Sequence, residues 1–411
     1  MQPTDHVQVP PALLNGKRIV LGVTGGIAAY KAADLASYLV QQGVQLRVTM
    51  TEAATRFVGP MTFEAITRQP VHTDVFDGWS GAEAGHVTLA ANADAVVVAP
   101  ATADAIATMA HGFARDMLST VLLSTPAPIV VAPAMEHRMW HHPATQENLG
   151  VLRSRGVTVV DPETGHLASG ATGDGRLASR DRIVAGIRCV LAGNGPLHGC
   201  KIVVTAGGTH EAIDPVRFIG NRSSGQMGVA IAEAAFDAGA IVHTVAGPTV
   251  RVLPAVGAVT RIESANDLAD AVSELTADAD VLIMAAAVAD FRPKTVSGSK
   301  IKKGPGTDAP TIELTRNPDI LASTNREGLV KIGFAAETDD LIENASGKLR
   351  SKGLAMIVAN DAVATIGSDR SQATLLYATG DSESLPPLPK SDLARLIVDR
   401  VARLVGARND A

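Results

Sequence analysis

In RIVLGVTGGIAAYKAADLASYLVQQGVQLRVTM (residues 18–50) a solid apolar run at 18–23 ends in a glycine-bearing turn. Helical spacing follows over 27–42, with Ile27, Leu35 and Leu39 able to share one face. Gly43 stands where a helix terminus favours a left-handed residue, and 44–50 resumes as a strand. Further short apolar runs at 95–99 and 129–132 read as buried strands. Strands separated by helices imply crossover connections and a parallel sheet. The aperiodic stretch LAGNGPLHG (191–199) reads as a linker. Beyond it the pattern restarts: strand 201–205, a long glycine-bearing loop, a helix over about 229–238, then strands at 241–245, 281–287, 331–334 and 355–359. No short-period repeat occurs, so two α/β domains are expected, 1–192 and 193–411.

Composition narrows the function. The chain has 411 residues, of which 46% are hydrophobic and 19% charged, enough apolar material for sizeable cores. A net charge of -6 argues against a general nucleic-acid binder, and 3% aromatic residues argue against stacking platforms for single strands. Cys189 and Cys200 form no CxxC pair, as expected in a reducing compartment. The opening residues MQPTDHVQVPPALLNGK lack a basic-then-apolar signal pattern, and the longest uncharged stretch, 117–135, holds Pro126, Pro128 and Pro133. A cytoplasmic protein with no membrane span is expected.

Several strand ends carry polar residues, where ligands bind in parallel sheets. TGGIAAYK (24–31) joins a strand to a helix; its backbone N–H groups suit a phosphate, although an ordinary tight turn has the same look. It is not GxGxxG, and the two GxGxxA strings at 173–178 and 304–309 follow no apolar strand. His86 opens GHVTLA, and the strand at 95–99 ends in Pro100, Thr102 and Asp104. APAMEHRMW (132–140) is another polar strand end; His137 and His141 are spaced to face one way on a helix, but no nearby carboxylate or third imidazole completes a metal shell. LASGATGDGRLAS (167–179) reads as a flap or a plain surface loop. In the second half, Asn221, Arg222, Ser223 and Ser224 precede a helix, Asp290 ends a strand, and Lys300, Lys302 and Lys303 follow. Lys348 and Lys352 lie one turn apart, and with the other basic groups they suit a triphosphate in a net acidic chain.

In this order GHVTLA, APATADAIA, TAGGTHEAIDPVRFIGNRSSGQMG, AAVADFRPK, KIKK, NPDI, GFAAET and the Lys348/Lys352 pair resemble the bacterial bifunctional coenzyme A biosynthesis flavoproteins. That family joins a phosphopantothenoylcysteine decarboxylase to a phosphopantothenate–cysteine ligase, and the resemblance covers residues 17–404. It implies a flavodoxin-like flavoprotein domain with a parallel sheet, followed by a Rossmann-like ligase domain. For the first, the resemblance implies FMN held by Thr24, Gly25, Gly26, Ile27, Pro100, Ala101 and Thr102, with His86 as acid/base in decarboxylating 4′-phosphopantothenoylcysteine. For the second, it implies that CTP activates 4′-phosphopantothenate as an acyl-cytidylate and L-cysteine then displaces CMP. Asn221 matches the residue that holds the acyl-cytidylate, and Lys300 the lysine needed to form it. Asp290, Pro318, Asp319, Ile320, Leu321 and Phe334 match nucleotide contacts, and Lys348 and Lys352 triphosphate contacts, with Mg²⁺ bridging the phosphates.

Two departures bear on the first reaction. Glu136 stands where the family has an asparagine that meets the substrate carboxylate, and Ser169 where it has a cysteine acid. Two carboxylates in contact repel, so either Glu136 turns away and His137 or Arg138 serves, or the step is weakened. The alternative reading is an active ligase whose decarboxylase domain is impaired or kept as a flavin-binding scaffold. A nicotinamide dehydrogenase is disfavoured by the missing fingerprint. The resemblance also implies a homo-oligomer, with trimeric contacts between flavin domains and dimeric contacts between ligase domains.

Overall fold

The computed structural model describes residues 8–76, 85–166, 170, 172–250, 252–254, 256–302, 311–337, 341–361 and 369–409. They form two compact units. One is Pro11–Gly193; the other takes the described residues from Asn194 onward together with residues 8–10. Arg395 Nε donates to the Pro10 carbonyl at 2.7 Å, and Val9 packs on the second unit's core.

The first unit holds a six-stranded sheet of β1 (Arg18–Val23), β2 (Gln45–Met50), β3 (Val71–His72), β4 (Ala95–Ala101), β5 (Ile129–Pro133) and β6 (Thr158–Val159). The order is β3-β2-β1-β4-β5-β6 and every pairing is parallel. Apart from the two-residue β3 this is the flavodoxin order. Both sheet faces are covered: Ile19, Leu21 and Val23 of β1 point into one core and Val20 into another. That two-sided burial is why these strands read as unbroken apolar runs. Helix Lys31–Gln41 buries Ala32, Leu35, Ala36 and Leu39. Ile27 departs from expectation. It sits in a 3₁₀ turn, Ile27–Tyr30, and is 60% exposed, because the tighter turn breaks the 3.6-residue period linking it to Leu35. The expected flap is a hairpin of β7 (Glu163–His166) and β8 (Thr172–Arg176), although 167–169 and 171 lie outside the described residues.

The second unit's sheet runs, in spatial order, Ala258–Arg261, Ile241–Ala246, Lys201–Ala206, Val281–Met284, Val330–Glu337, Met356–Asp361, Thr374–Tyr377 and Ser382–Ser384. The first six are parallel in Rossmann order; the last two are antiparallel, an extension that the expected strands did not include. Helix Gln226–Asp237 starts three residues before its expected position. Its first turn holds Gly228, where a Cβ would lie 2.6 Å from the Ala206 Cβ and 2.8 Å from the Thr205 carbonyl oxygen. Glycine there allows the helix to sit directly on the strand that precedes it. Helix Lys390–Asn409 lies beside it, burying Leu393, Leu396, Ile397 and Val401. No described helix is long and apolar enough to cross a membrane.

Candidate active sites at two switch points

In the first sheet the chain leaves β1 toward β2 and later returns to β4 on the other side. The carboxyl ends of β1 and β4 therefore flank a crevice, the usual ligand position in such sheets. The structure brings the expected residues together there. Thr24 is buried; its hydroxyl donates to the Pro100 carbonyl at 2.8 Å and accepts the Thr102 N–H at 3.0 Å. Thr102 in turn caps helix Ala103–His111 by accepting the Ala105 N–H at 3.3 Å. Gly25 and Gly26 lead into the 3₁₀ turn, whose start has no side-chain cap, which leaves N–H groups there without a side-chain acceptor. Ala101 is fully buried and Ile27 is exposed.

His86 comes from another element, helix Gly85–Asn92, which packs on the sheet through Leu89 and Ala90. Its Nδ1 is buried without a hydrogen-bond partner among the described residues. A buried ring nitrogen left unpaired is costly unless a ligand or a functional proton meets it. One carboxylate oxygen of Glu136 is engaged locally: its Oε2 accepts the Arg138 N–H at 2.7 Å and caps helix His137–Trp140. Arg138 is exposed beside it. Ser169 lies outside the described residues.

β8 lies against this turn. The Met135 N–H donates to the Gly175 carbonyl at 2.9 Å. Gly175 has φ +123°, and a Cβ there would lie 2.3 Å from the Met135 carbonyl oxygen, so only glycine permits the approach. The contact corrects one expectation. Local spacing offers His137 and His141 no carboxylate, but β8 delivers Asp174, whose Oδ2 is 3.1 Å from His141 Nε2. The two rings stand 4.5 Å apart, and the three side chains could hold one cation. His137 Nδ1 already accepts the Asp174 N–H at 3.2 Å. Hydrogen bonds from Thr164 and then His141 hold the Asp174 carboxyl below its ordinary range.

In the second sheet the switch point lies between Lys201–Ala206 and Val281–Met284, whose connections leave in opposite directions. A cavity of about 820 Å³ opens there. Its wall includes Asn221, Asp290, Pro318, Asp319, Ile320, Leu321, Phe334, Lys348 and Lys352, residues that the sequence singled out individually. Asn221 Nδ2 donates to the Val288 carbonyl at 2.9 Å. Asp319 caps helix Ile320–Ser323, its Oδ1 accepting the Ala322 N–H at 3.2 Å and pairing with Lys352 Nζ at 3.0 Å. Strand Val281–Met284 stops earlier than the expected 287 because residues 285–289 leave the sheet to form part of this wall.

Lys300 is exposed and stands outside the cavity wall. Its neighbour Ile301 is held on both sides. Asp214 Oδ2 accepts the Ile301 N–H at 3.1 Å, and Arg217 Nη2 donates to the Ile301 carbonyl at 3.0 Å. Asp214 is buried, pairs with Arg217, and accepts the Val216 and Arg217 N–H groups at 2.9 and 3.0 Å. Its hydrogen bonds from Arg217, joined by those backbone donors, hold its carboxyl far below the ordinary carboxylate range. Lys303 lies outside the described residues. Sequence reading missed Asp214 and Arg217, and also Asn360, Ser371 and Lys390 of the cavity wall. DPVR at 214–217 offered a signal, an acid and a base three apart; the other three residues offered none locally.

Two family models match the chain, one described as Flavoprotein over residues 9–191 and one as DNA/pantothenate metabolism flavoprotein C-terminal domain over residues 197–405. The Coenzyme A biosynthesis bifunctional protein CoaBC of Bacillus subtilis (strain 168) is 42% identical over 400 residues, covering 95% of this chain and 98% of that protein. Its namesake from Mycobacterium tuberculosis (strain ATCC 25618 / H37Rv) is 44% identical over 420 residues, 97% of each chain. Among solved structures, the C-terminal domain of a CoaBC protein is 40% identical and covers 52% of this chain and 100% of that one, at a TM-score of 0.45. The FMN-dependent cysteine decarboxylase SpaF is 32% identical over 42% of this chain and 99% of its own, at a TM-score of 0.37.

Proposed function

This chain belongs to the family of bifunctional coenzyme A biosynthesis proteins, which join a phosphopantothenoylcysteine decarboxylase to a phosphopantothenate–cysteine ligase, and on that premise we propose how its own residues carry the two reactions. The second unit is the ligase, and its nucleotide is CTP. The observation that carries this reading is the meeting of Asn221, Asp290, Asp319, Phe334, Lys348 and Lys352 around one cavity at a switch point. Carboxylates do not react with amines unaided, so attack of 4′-phosphopantothenate on the α-phosphate first makes an acyl-cytidylate and pyrophosphate. L-Cysteine then displaces CMP. Lys300 offsets the charge that develops at phosphorus, and Asn221 holds the activated acid. Lys348 and Lys352 take the triphosphate. Mg²⁺ would be held mainly by the nucleotide's phosphates and its own waters, with few protein ligands, and would supply positive charge for the transfer at phosphorus. Asp290 and Asp319 are the carboxylates in the wall. Replacing Lys352 by alanine should weaken CTP binding about tenfold, the effect of one lost charge-assisted contact. Calorimetric titration measures this, and an unchanged affinity removes Lys352 from the site.

Asp214 and Arg217 position Lys300 through Ile301. Because the Asp214 carboxyl titrates lower in the folded protein, its stabilisation is present above the ordinary carboxylate pKa of about 3.9. It is lost as the pH falls through the depressed native value, so it is fully present at neutral pH. Asp214→Asn should lower CMP release by roughly 10²-fold, the scale of misplacing a reacting group. A wild-type rate in that variant would detach the clamp from catalysis.

The first unit decarboxylates 4′-phosphopantothenoylcysteine, and FMN is its cofactor. The residues fit such a group: an uncapped turn at Gly26 offers N–H donors for a phosphate, and the buried His86 Nδ1 has no hydrogen-bond partner among the described residues. When bound, FMN supplies the reversible two-electron oxidation that turns the cysteinyl arm into a group able to lose carbon dioxide. Thr24 keeps the turn locked to the end of β4, and His86 holds the proton exchanged with substrate. With Glu136 committed to the Arg138 N–H, the exposed Arg138 side chain and His137 take the substrate carboxylate. Ser169 stands in the place of the family's acid, so the final proton comes from a stronger acid or water. We further propose a cytoplasmic homo-oligomer. Exposed Phe57, Met61 and Phe76 on the first unit, and Phe218, Phe291 and Leu314 on the second, support trimeric and dimeric contacts respectively.

A further inference from the structure

The walls of the ligase cavity come from opposite faces of its sheet. Helix Leu341–Ser351, which carries Lys348 and leads to Lys352, packs through Ala345 and Leu349 on Ile357 and Ala359. Met356 and Val358 point the other way, into the core shared with helices Gln226–Asp237 and Lys390–Asn409. Alternation along the strand makes these two distinct faces. On the second face the cavity is lined by Gln226, Asn360, Ser371, Ala373, Lys390 and Leu393.

Three observations at that end bear on what it could hold. Ser371 is only 3% exposed, and its hydroxyl has no hydrogen-bond partner among the described residues. Unpaired buried hydroxyls are uncommon in proteins and point to a missing acceptor or donor. Lys390 is fixed beside it, because Arg370–Ser371 pairs with Leu388–Pro389 and the Lys390 N–H donates to the Asp369 carbonyl at 3.1 Å. Its Nζ donates to Gln226 Oε1 at 3.0 Å, which turns the ammonium toward the start of helix Gln226–Asp237. That helix has no side-chain cap, so its first N–H groups and its dipole add to the positive field. Burial lowers the Lys390 pKa, and the Asp369 charge opposes that shift.

We propose that Lys390, Ser371 and the start of helix Gln226–Asp237 form a phosphoryl-binding subsite, separate from Lys348 and Lys352, that grips a terminal phosphate of one of the ligase's phosphorylated substrates. The proposal rests on the ligase reading above. Both substrates carry such a group away from the reacting atoms: the γ-phosphate of CTP and the 4′-phosphate of the acid. Binding energy gathered there serves the reaction at the α-phosphate.

The test uses the full chain, with Lys390→Met and Ser371→Ala made separately and Lys390→Arg as the charge-preserving control. CTP, 4′-phosphopantothenate and cysteine are each varied in a CMP-release assay. Lys390→Met should raise KM about tenfold or more for one phosphorylated substrate, leave KM for cysteine unchanged, and be largely restored by arginine. Ser371→Ala should raise the same KM by a smaller factor. A rise confined to CTP assigns the subsite to the nucleotide, and one confined to 4′-phosphopantothenate assigns it to the acid; either supports the subsite. Unchanged KM values for both substrates in Lys390→Met and Ser371→Ala would overturn it. If the wild type ligates nothing, the ligase reading has failed by itself. Calorimetry with pyrophosphate then still decides the subsite: weaker binding in Lys390→Met supports it, and equal binding in both proteins refutes it.

Discussion

Lys300→Ala will slow ligation by about 10³-fold, while the same preparation decarboxylates supplied 4′-phosphopantothenoylcysteine at the wild-type rate. Removing one preorganised donor aimed at developing charge costs about 10²–10³-fold in rate. Lys300 is exposed, so its loss opens no cavity and breaks no core contact. The fold should therefore persist, and the decarboxylase, built from the other unit, is an internal control. The clamp on Ile301 makes the prediction sharper. Asp214 and Arg217 hold the backbone next to Lys300 from both its N–H and its carbonyl, so the alanine variant loses the ammonium but keeps the segment in place. CMP release measured in parallel with carbon dioxide release reads both units at once. A Lys300→Ala protein that still makes CMP at full speed would remove this lysine from the chemistry.

His86→Ala should lower decarboxylation by about 10²–10⁴-fold, the range attributed to a positioned general acid or base. Its ligation rate should not change. Its Nδ1 is buried with no hydrogen-bond partner among the described residues, whereas a buried nitrogen of a structural imidazole is ordinarily paired. Flavin absorbance gives the control. If His86→Ala keeps its yellow colour and loses carbon dioxide release, the ring acts on the substrate. Loss of colour together with activity would make it a flavin contact, and retention of both would make it neither.

Much of the architecture was legible because parallel strands are covered on both faces. RIVLGV and AVVVA read as strands for that reason, and they are the two central strands of the first sheet. Edges were harder. Thr374–Tyr377 and Ser382–Ser384 are short, and the second is polar, so nothing in their composition announced the antiparallel extension. The helix at Gln226 was placed late because its first turn, QMG, holds a glycine, a weak helix former that the close approach to Ala206 requires. Ile27 misled because a 3₁₀ turn precedes the α-helix.

Sites followed the same division. Asn221, Asp290 and the 318–321 segment stand in distinctive strings at strand ends, and the cavity collects them. Lys390 and Ser371 are ordinary residues in weakly patterned segments, and they reach the same cavity from a helix start and an edge strand. Asp174 could not be tied to His141 by spacing, since they are linked by a hairpin folding back over the 135–137 turn. Glu136 shows the converse. Its identity suggested a clash with substrate, and in the structure one of its carboxylate oxygens caps a one-turn helix.

The account is tested most directly by one product analysis. Purified protein is given CTP, Mg²⁺, 4′-phosphopantothenate and L-cysteine, and every product is identified by mass spectrometry and phosphorus NMR. The predicted result is CMP and pyrophosphate in equal amounts, with 4′-phosphopantetheine and carbon dioxide following. Phosphopantothenoylcysteine that accumulates without carbon dioxide would contradict the decarboxylase assignment, and CTP cleaved to CDP and inorganic phosphate, with no CMP, would contradict the cytidylate route through Lys300 and Asn221.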